Sequence, residues 1–339
     1  MICGWQKKRS NMADIRTRIE YLDWLRALAV AMVVLGHSAN AVAPGGRIGV
    51  SIFFVLSGFL IADILLRDGI MTPGNVAKFI VRRVGRIYPM YAFQLCAILV
   101  YYWIFNPEHL GTISAALRPM VIFRPGPDHW FGYGIGVLWT LRIEFWFYVT
   151  FPLVLWLAFL LRRPLAVLTV FALGSVLYKL AGGTNDILQY YDQFLLGSIT
   201  AYLVRNGLTP AALRSRSVRL AMSALLLVMI SILTERGPAW QAQSLATAIA
   251  TAVLILSLHA RPPTMHIPAL SFIGAISYSM YLVHAIVLDC WIKLFGMSTM
   301  NVPLFLAITI VVSWLTYRLI EQPCQNLIHR YVRFSAKPA

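Results

Sequence analysis

Apolar residues along this chain recur in blocks separated by short polar segments. Each block is close to the 17–25 or so residues that a helix needs to cross the hydrocarbon of a bilayer. The pattern predicts ten membrane-spanning helices, at about 22–41, 48–66, 87–105, 135–160, 164–180, 187–204, 218–234, 240–258, 269–291 and 302–320. The block at 187–204 is the least regular, because Gln189, Asp192 and Gln193 interrupt it. Between blocks, the longest segment runs from Asn106 to Gly134, and its Pro, Gly and aromatic content argues against one regular helix. Segments of that length often carry function. Its Trp130, Phe131 and Tyr133 suit either stacking on a sugar ring or anchoring at a membrane interface. The fold class expected from this pattern is all-α, a polytopic membrane helix bundle.

Composition sharpens the same picture. The 339 residues are 59% hydrophobic and only 12% charged, with a mean hydropathy of +0.71, whereas soluble domains carry about 25% charged residues. A net charge of +16 raises nucleic acid as a partner, but the basic residues sit in short clusters between apolar blocks. Membrane proteins place their cytoplasmic charge in that way, so no nucleic acid is expected. With ten spans, most lysines and arginines fall on one side. The other side holds Arg47, Arg118, Arg124, Lys179, Arg236 and Lys293, and Arg142 lies within a span. The bias predicts cytoplasmic termini in a multi-pass protein of the cell inner membrane, surrounded by membrane lipids. The expected organisation is an N-terminal tail over 1–20, a transmembrane domain over 21–323 and a C-terminal tail over 324–339. No apolar core or cleavage site of a signal peptide appears near the start, and both Met1 and Met12 remain candidate first residues. Cys3, Cys96, Cys290 and Cys324 are far apart and lack metal-ligand spacing, so neither a disulfide framework nor a metal site is expected.

Ionisable residues within spans are costly and point to function by default. Arg26 and His37 are eleven residues apart, close to three helical turns and about 16 Å of rise, which puts both on nearly one face of the first span. Arg26 sits near the cytoplasmic rim, where snorkelling or an ion pair with Asp23 is an alternative reading. His37 lies in the outer half, as either a catalytic base or a histidine satisfied between helices. Glu144 lies at a comparable depth on an opposed span, and its carboxylate is expected to pair with and orient His37. Arg142 is two residues away and faces elsewhere. Arg83 and Arg86, three residues apart in KFIVRRVGRIYPMY, can share a face and fork a phosphate; positive-inside bias alone accounts for Lys78 and Arg82. Ser57 and Gly58 form a small pair in mid-span, a usual packing device, and no nucleophile elbow surrounds the serine.

Taken together, LDWLRALAVAMVVLGH, GVSIFFVLSGFLI, RRVGRIYPMY, LWTLRIEFWFY, IGAISYSMYLVH and SWLTYRLIEQP occur in an order that resembles the acyltransferase 3 family of membrane O-acyltransferases. The resemblance covers about Leu22 to Pro323. It departs from the family's usual pattern at Trp24, commonly glycine there, and at Arg142, usually a small or neutral residue. No hydrolase-like domain follows the last block, as in a stand-alone member.

The resemblance implies transfer of an acyl group, most often acetyl, from cytoplasmic acyl-CoA to a hydroxyl of a glycan, a lipid-linked sugar or a small hydroxylated acceptor. His37 and Glu144 are the expected catalytic pair, and Arg26, Arg83 and Arg86 the acyl-CoA-binding cations. Asp23, Ser57, Arg142, Tyr278 and His284 are supporting or acceptor-side candidates. A covalent acyl-enzyme through His37 or Ser57 is the less favoured variant. Acyl-CoA is a co-substrate, and no permanently bound cofactor is expected. Succinyl or longer donors remain open, and so does a proton-coupled lipid or sugar transporter built on a buried His–Glu pair.

Overall fold

The computed structural model describes residues 2–38, 46–67, 72–124, 132–231, 238–297 and 301–334. Among these there are helices, turns and short connections, and no strand. In chain order the helices are α1 (Ile2–Ser38), α2 (Gly46–Arg67), α3 (Pro73–Phe105), α4 (Leu110–Leu117), α5 (Tyr133–Gly136), α6 (Trp139–Leu160) and α7 (Pro164–Leu180). They continue with α8 (Asp186–Arg205), α9 (Arg216–Ser231), α10 (Pro238–Ala260), α11 (Pro268–Ala275), α12 (Ser277–Phe295), α13 (Val302–Thr316) and α14 (Gln322–Phe334). Several starts are written locally. Thr72, Asn185 and Asn301 each accept a backbone N–H three residues on, from Asn75, Leu188 and Leu304. Such caps satisfy donors that a helix start leaves open.

Among the described residues, six segments are long and apolar enough to cross a membrane: Gly46–Arg67, Pro73–Phe105, Tyr133–Leu160, Trp240–Ala260, Ser277–Phe295 and Val302–Ile328. The other four expected blocks are also helical, in α1, α7, α8 and α9. Of these, α7 and α9 are only 17 and 16 residues long, while α1 and α8 carry charges within their apolar stretches. The expected block at 269–291 is divided, since a turn at Ile276 separates α11 from α12. The Asn106–Gly134 segment holds short helical pieces, Pro107–His109, α4, Pro119–Ile122 and the start of α5. Trp130 and Phe131 lie outside the described residues.

Two features hold the centre. Helices α2 and α8 cross so closely that a Cβ at Gly58 would collide with the Phe194 carbonyl oxygen, and one at Gly197 with that of Val55. Beside this contact, Ser198 Oγ donates to the Gly58 carbonyl at 3.2 Å. Small residues let backbones approach in membranes, where apolar surface alone does not drive helices together. Ser57–Gly58 is therefore a packing pair on its glycine side.

The polar residues of α8 explain why its block is irregular. Asp192 accepts both Lys179 Nζ contacts, at 2.9 and 3.1 Å, in a pair with side chains only 1% and 3% exposed. Gln193 Nε2 donates to Ser244 Oγ at 2.6 Å. Lys179, which reads in the sequence as a loop cation, is thus a buried structural partner. All these groups face other helices, the arrangement expected for polar side chains in an apolar surrounding.

Candidate active site

Two cavities lie back to back inside the bundle. The smaller, about 70 Å³, is lined by Arg26 from α1, Ser57 from α2, Arg83 and Arg86 from α3, Glu144 from α6 and Tyr278 from α12. The larger, about 1260 Å³, is lined by His37, Arg47, Tyr133, Trp139, Arg142 and Trp240 among others. Val50 and Tyr281 belong to both walls. Tyr281 is held there because its hydroxyl donates to the Val137 carbonyl at 3.0 Å and accepts from Thr140 at 2.9 Å.

The small cavity gathers the expected cations. Arg83 is 6% exposed and lies over the rings of Phe79 and Tyr148, each 5.8 Å away. Arg26 is 3.7 Å from Asp23 and shares its field with Arg86, Glu321 and Glu144. Three arginines are thus balanced by Asp23, Glu144 and Glu321, a compensation that buried charge requires. Glu321 reaches this cluster from a π-helical turn at Tyr317–Glu321 and is fixed by Ser279 Oγ at 2.6 Å and Gln325 Nε2 at 3.0 Å. Tyr278 donates to the Ile87 carbonyl at 2.7 Å, tying α12 to α3.

Here the expected His37–Glu144 pair is corrected. Glu144 Oε1 accepts from Ser57 Oγ at 3.0 Å and from the Tyr148 hydroxyl at 2.6 Å, and it lines the small cavity, whereas His37 lines the large one. Ser57 is engaged as a donor to the Glu144 carboxylate.

The partner of His37 is His284, with Nδ1 of the former 3.0 Å from Nε2 of the latter and the rings stacked at 5.2 Å. His284 is fully buried and its Nδ1 lies 3.1 Å from the Met280 carbonyl. A carbonyl only accepts, so His284 Nδ1 carries a proton, and in the neutral ring Nε2 is then an acceptor. His37 must therefore donate from Nδ1, which leaves its Nε2 with a free lone pair. A histidine so oriented is configured as a base. His284 lines neither cavity.

Asp289, five residues beyond His284 on α12, accepts the backbone N–H groups of Tyr133 at 3.0 Å and Gly134 at 2.7 Å. This clamp holds the Tyr133 ring edge-on to His37, with centroids 5.7 Å apart. Gly132 adopts φ +87°, and a Cβ there would stand 3.0 Å from Asp289 Oδ2, so both conformation and space call for glycine.

The family model of the acyltransferase 3 type, described as an acyltransferase domain, matches residues 19–318. This chain belongs to the acyltransferase 3 family. Among the similar proteins are the peptidoglycan O-acetyltransferase OatA of Listeria monocytogenes, 27% identical over 92% of this chain and 56% of that protein, and the O-acetyltransferase OatA of Staphylococcus aureus, 27% identical over 90% and 57%. A putative membrane-bound transacylase, BcsY of Komagataeibacter xylinus, is 28% identical over 94% of this chain and 86% of its own length. The chain thus spans little more than half the length of the OatA proteins. No solved structure matches.

In this acyltransferase 3 chain, the motif residues Arg26, Arg83, Arg86 and Glu144 converge on one cavity, and His37 stands at the next. Arg142 joins neither cluster: it pairs with Asp186 at 2.5 Å on the wall of the large cavity. Tyr148, Asp289 and Glu321 were not singled out from the sequence. Tyr148 follows Glu144 by four residues, the spacing of helix neighbours, and the two acids are ionisable groups in apolar helices. Those signals were sufficient to mark all three.

Proposed function

We propose that this chain is an integral membrane O-acyltransferase that moves an acyl group, most simply acetyl, from cytoplasmic acyl-CoA to a hydroxyl of a glycan or glycan-like acceptor. The observation that carries this reading is the pair of cavities meeting at Val50 and Tyr281, with arginines lining one and a base-configured His37 lining the other. Family membership and relatives named as O-acetyltransferases support the same reaction type. In this scheme Arg26, Arg83 and Arg86 hold the phosphates of coenzyme A by charge-assisted hydrogen bonds. The pantetheine arm runs past Ser57 toward Tyr281.

The acceptor hydroxyl arrives through the large cavity. His37 Nε2 takes its proton as the oxygen attacks the thioester carbonyl. When the tetrahedral species collapses, the C–S bond breaks and the imidazolium returns that proton to the departing thiolate. The products are an O-acyl ester and free CoA. Glu144 keeps Ser57 and Tyr148 in register and balances the arginines, while His284 holds the tautomer of His37.

Arg83→Ala and Arg86→Ala are each expected to raise the KM for acetyl-CoA by about ten-fold or more, as for loss of a hydrogen bond to a charged group, with a smaller change in kcat. Steady-state kinetics on the purified protein checks this; a pure kcat loss contradicts head-group binding. Val50→Trp fills the junction between cavities. It is expected to abolish transfer while equilibrium binding of CoA itself persists, and normal turnover in this variant removes the junction as the route of the thioester. Release of free CoA from acetyl-CoA by the purified chain tests the function as a whole, since a proton-coupled transporter releases none.

A further inference from the structure

Arg142 is unexplained by the proposed chemistry. One of its terminal nitrogens bonds Asp186 at 2.5 Å, but its Nε is buried without a hydrogen-bond partner among the described residues. It stands on the wall of the large cavity together with Arg47 and Arg124, against a single carboxylate there, Asp186. Three arginines thus converge on the cavity that holds His37. A continuous aromatic wall runs beside them: Trp139 and Tyr190 have centroids 5.1 Å apart, Tyr190 and Trp240 6.1 Å, and Arg47 lies 5.1 Å over the Trp240 ring.

We infer that the acceptor taken into this cavity is an anionic saccharide, its carboxylate or phosphate received by Arg142 with Arg47 and Arg124, its ring faces laid on Trp139, Tyr190 and Trp240. A guanidinium fork suits both anions because it offers parallel N–H donors in a plane. A neutral glycan leaves the excess positive charge of the wall uncompensated. With a volume of about 1260 Å³, the cavity is large enough for an oligosaccharide end, above the range of ordinary small-molecule pockets. Asp186 then acts as the placeholder that keeps Arg142 extended along the wall until the acceptor anion shares it. The inference deepens the proposed acyl transfer and rests on it for the word acceptor, but the binding preference stands on the cavity alone.

The test is equilibrium binding to the full chain in lipid nanodiscs, without acetyl-CoA. The probes are a glucuronate-containing tetrasaccharide, its carboxyl-reduced neutral counterpart and a sugar phosphate. The acidic tetrasaccharide or the sugar phosphate is expected to bind about ten-fold or more tightly than the neutral sugar, as for a hydrogen bond to a charged group. Whichever of the two binds better identifies the anion. Arg142→Gln combined with Asp186→Asn, which leaves no unpaired charge behind, is expected to remove the difference. Equal binding of acidic and neutral sugars, no binding of either anion, or a preference that survives in the double variant overturns the inference. Free CoA release, measured on the same preparation with acetyl-CoA, reports separately on acyl transfer, so failure of that reading is not confused with failure of this one.

Discussion

His37→Ala is expected to lower kcat by about 10²–10⁴-fold, the usual contribution of a positioned general base, with acetyl-CoA binding retained. The retention follows from separation: His37 lines the large cavity and the arginines line the small one. His284→Ala is expected to fall between, by about 10–100-fold, the range seen when a partner that orients a functional histidine is removed. Without it the His37 Nδ1–H loses its acceptor and the ring can turn or change tautomer. His284→Gln restores an acceptor oxygen near that position and is expected to recover part of the loss. Rates of single turnover for the three variants decide the matter. Equal activity of His284→Ala and wild type removes His284 as the positioning residue, and substantial turnover in His37→Ala removes the base.

Gly58→Val is expected to abolish the folded protein. Its Cβ meets the Phe194 carbonyl oxygen, and the reciprocal contact at Gly197 meets that of Val55, so no side-chain rotation relieves the clash and α8 must move away as a whole. That movement opens the Ser198 bond to the Gly58 carbonyl and pulls on Gln193 and on the buried Lys179–Asp192 pair. Overpacking by a methylene or two costs about 1–3 kcal/mol where side chains can adjust; against two backbones the cost lies at or above the top of that range. Thermal unfolding followed by size-exclusion chromatography checks it. Gly174→Ala is the control, because a Cβ there meets nothing, and it is expected to hold or slightly raise Tm, as helix propensity dictates. A wild-type Tm for Gly58→Val contradicts the close α2–α8 crossing.

Much of this site was legible in the sequence because helical spacing carries it. Arg26 and His37 share a helix, so their separation in space follows from their separation in number. Arg83 and Arg86 share one for the same reason. Arg26, Arg83 and Arg86 were grouped from the sequence as one set of cations, and all three line the small cavity, where Glu144 joins them unexpectedly. What was not legible is which group touches which. His37 and His284 are 247 residues apart, and no periodicity links them. Glu144 was placed beside His37 but stands with the arginines on the other side of Tyr281, since nothing in the sequence fixes which helices a face of α6 meets.

Span number suffered from a related limit. Hydropathy marks a block as apolar, but it does not say whether charges inside the block are paired across helices. Asp192 made α8 look irregular, and only the fold reveals Lys179 beside it. Asp289 and Glu321 escaped notice because each sits in a motif dominated by its neighbours, one near His284 and the other before Pro323.

The most direct test of the account follows both products of one reaction. The purified chain in nanodiscs receives acetyl-CoA labelled in the acetyl group together with the saccharide that binds it best. The account predicts free CoA thiol and labelled O-acetyl ester in equal amounts, and neither from His37→Ala although that variant still binds acetyl-CoA. Absence of thiol release from the wild-type chain, or equal release by His37→Ala, contradicts it.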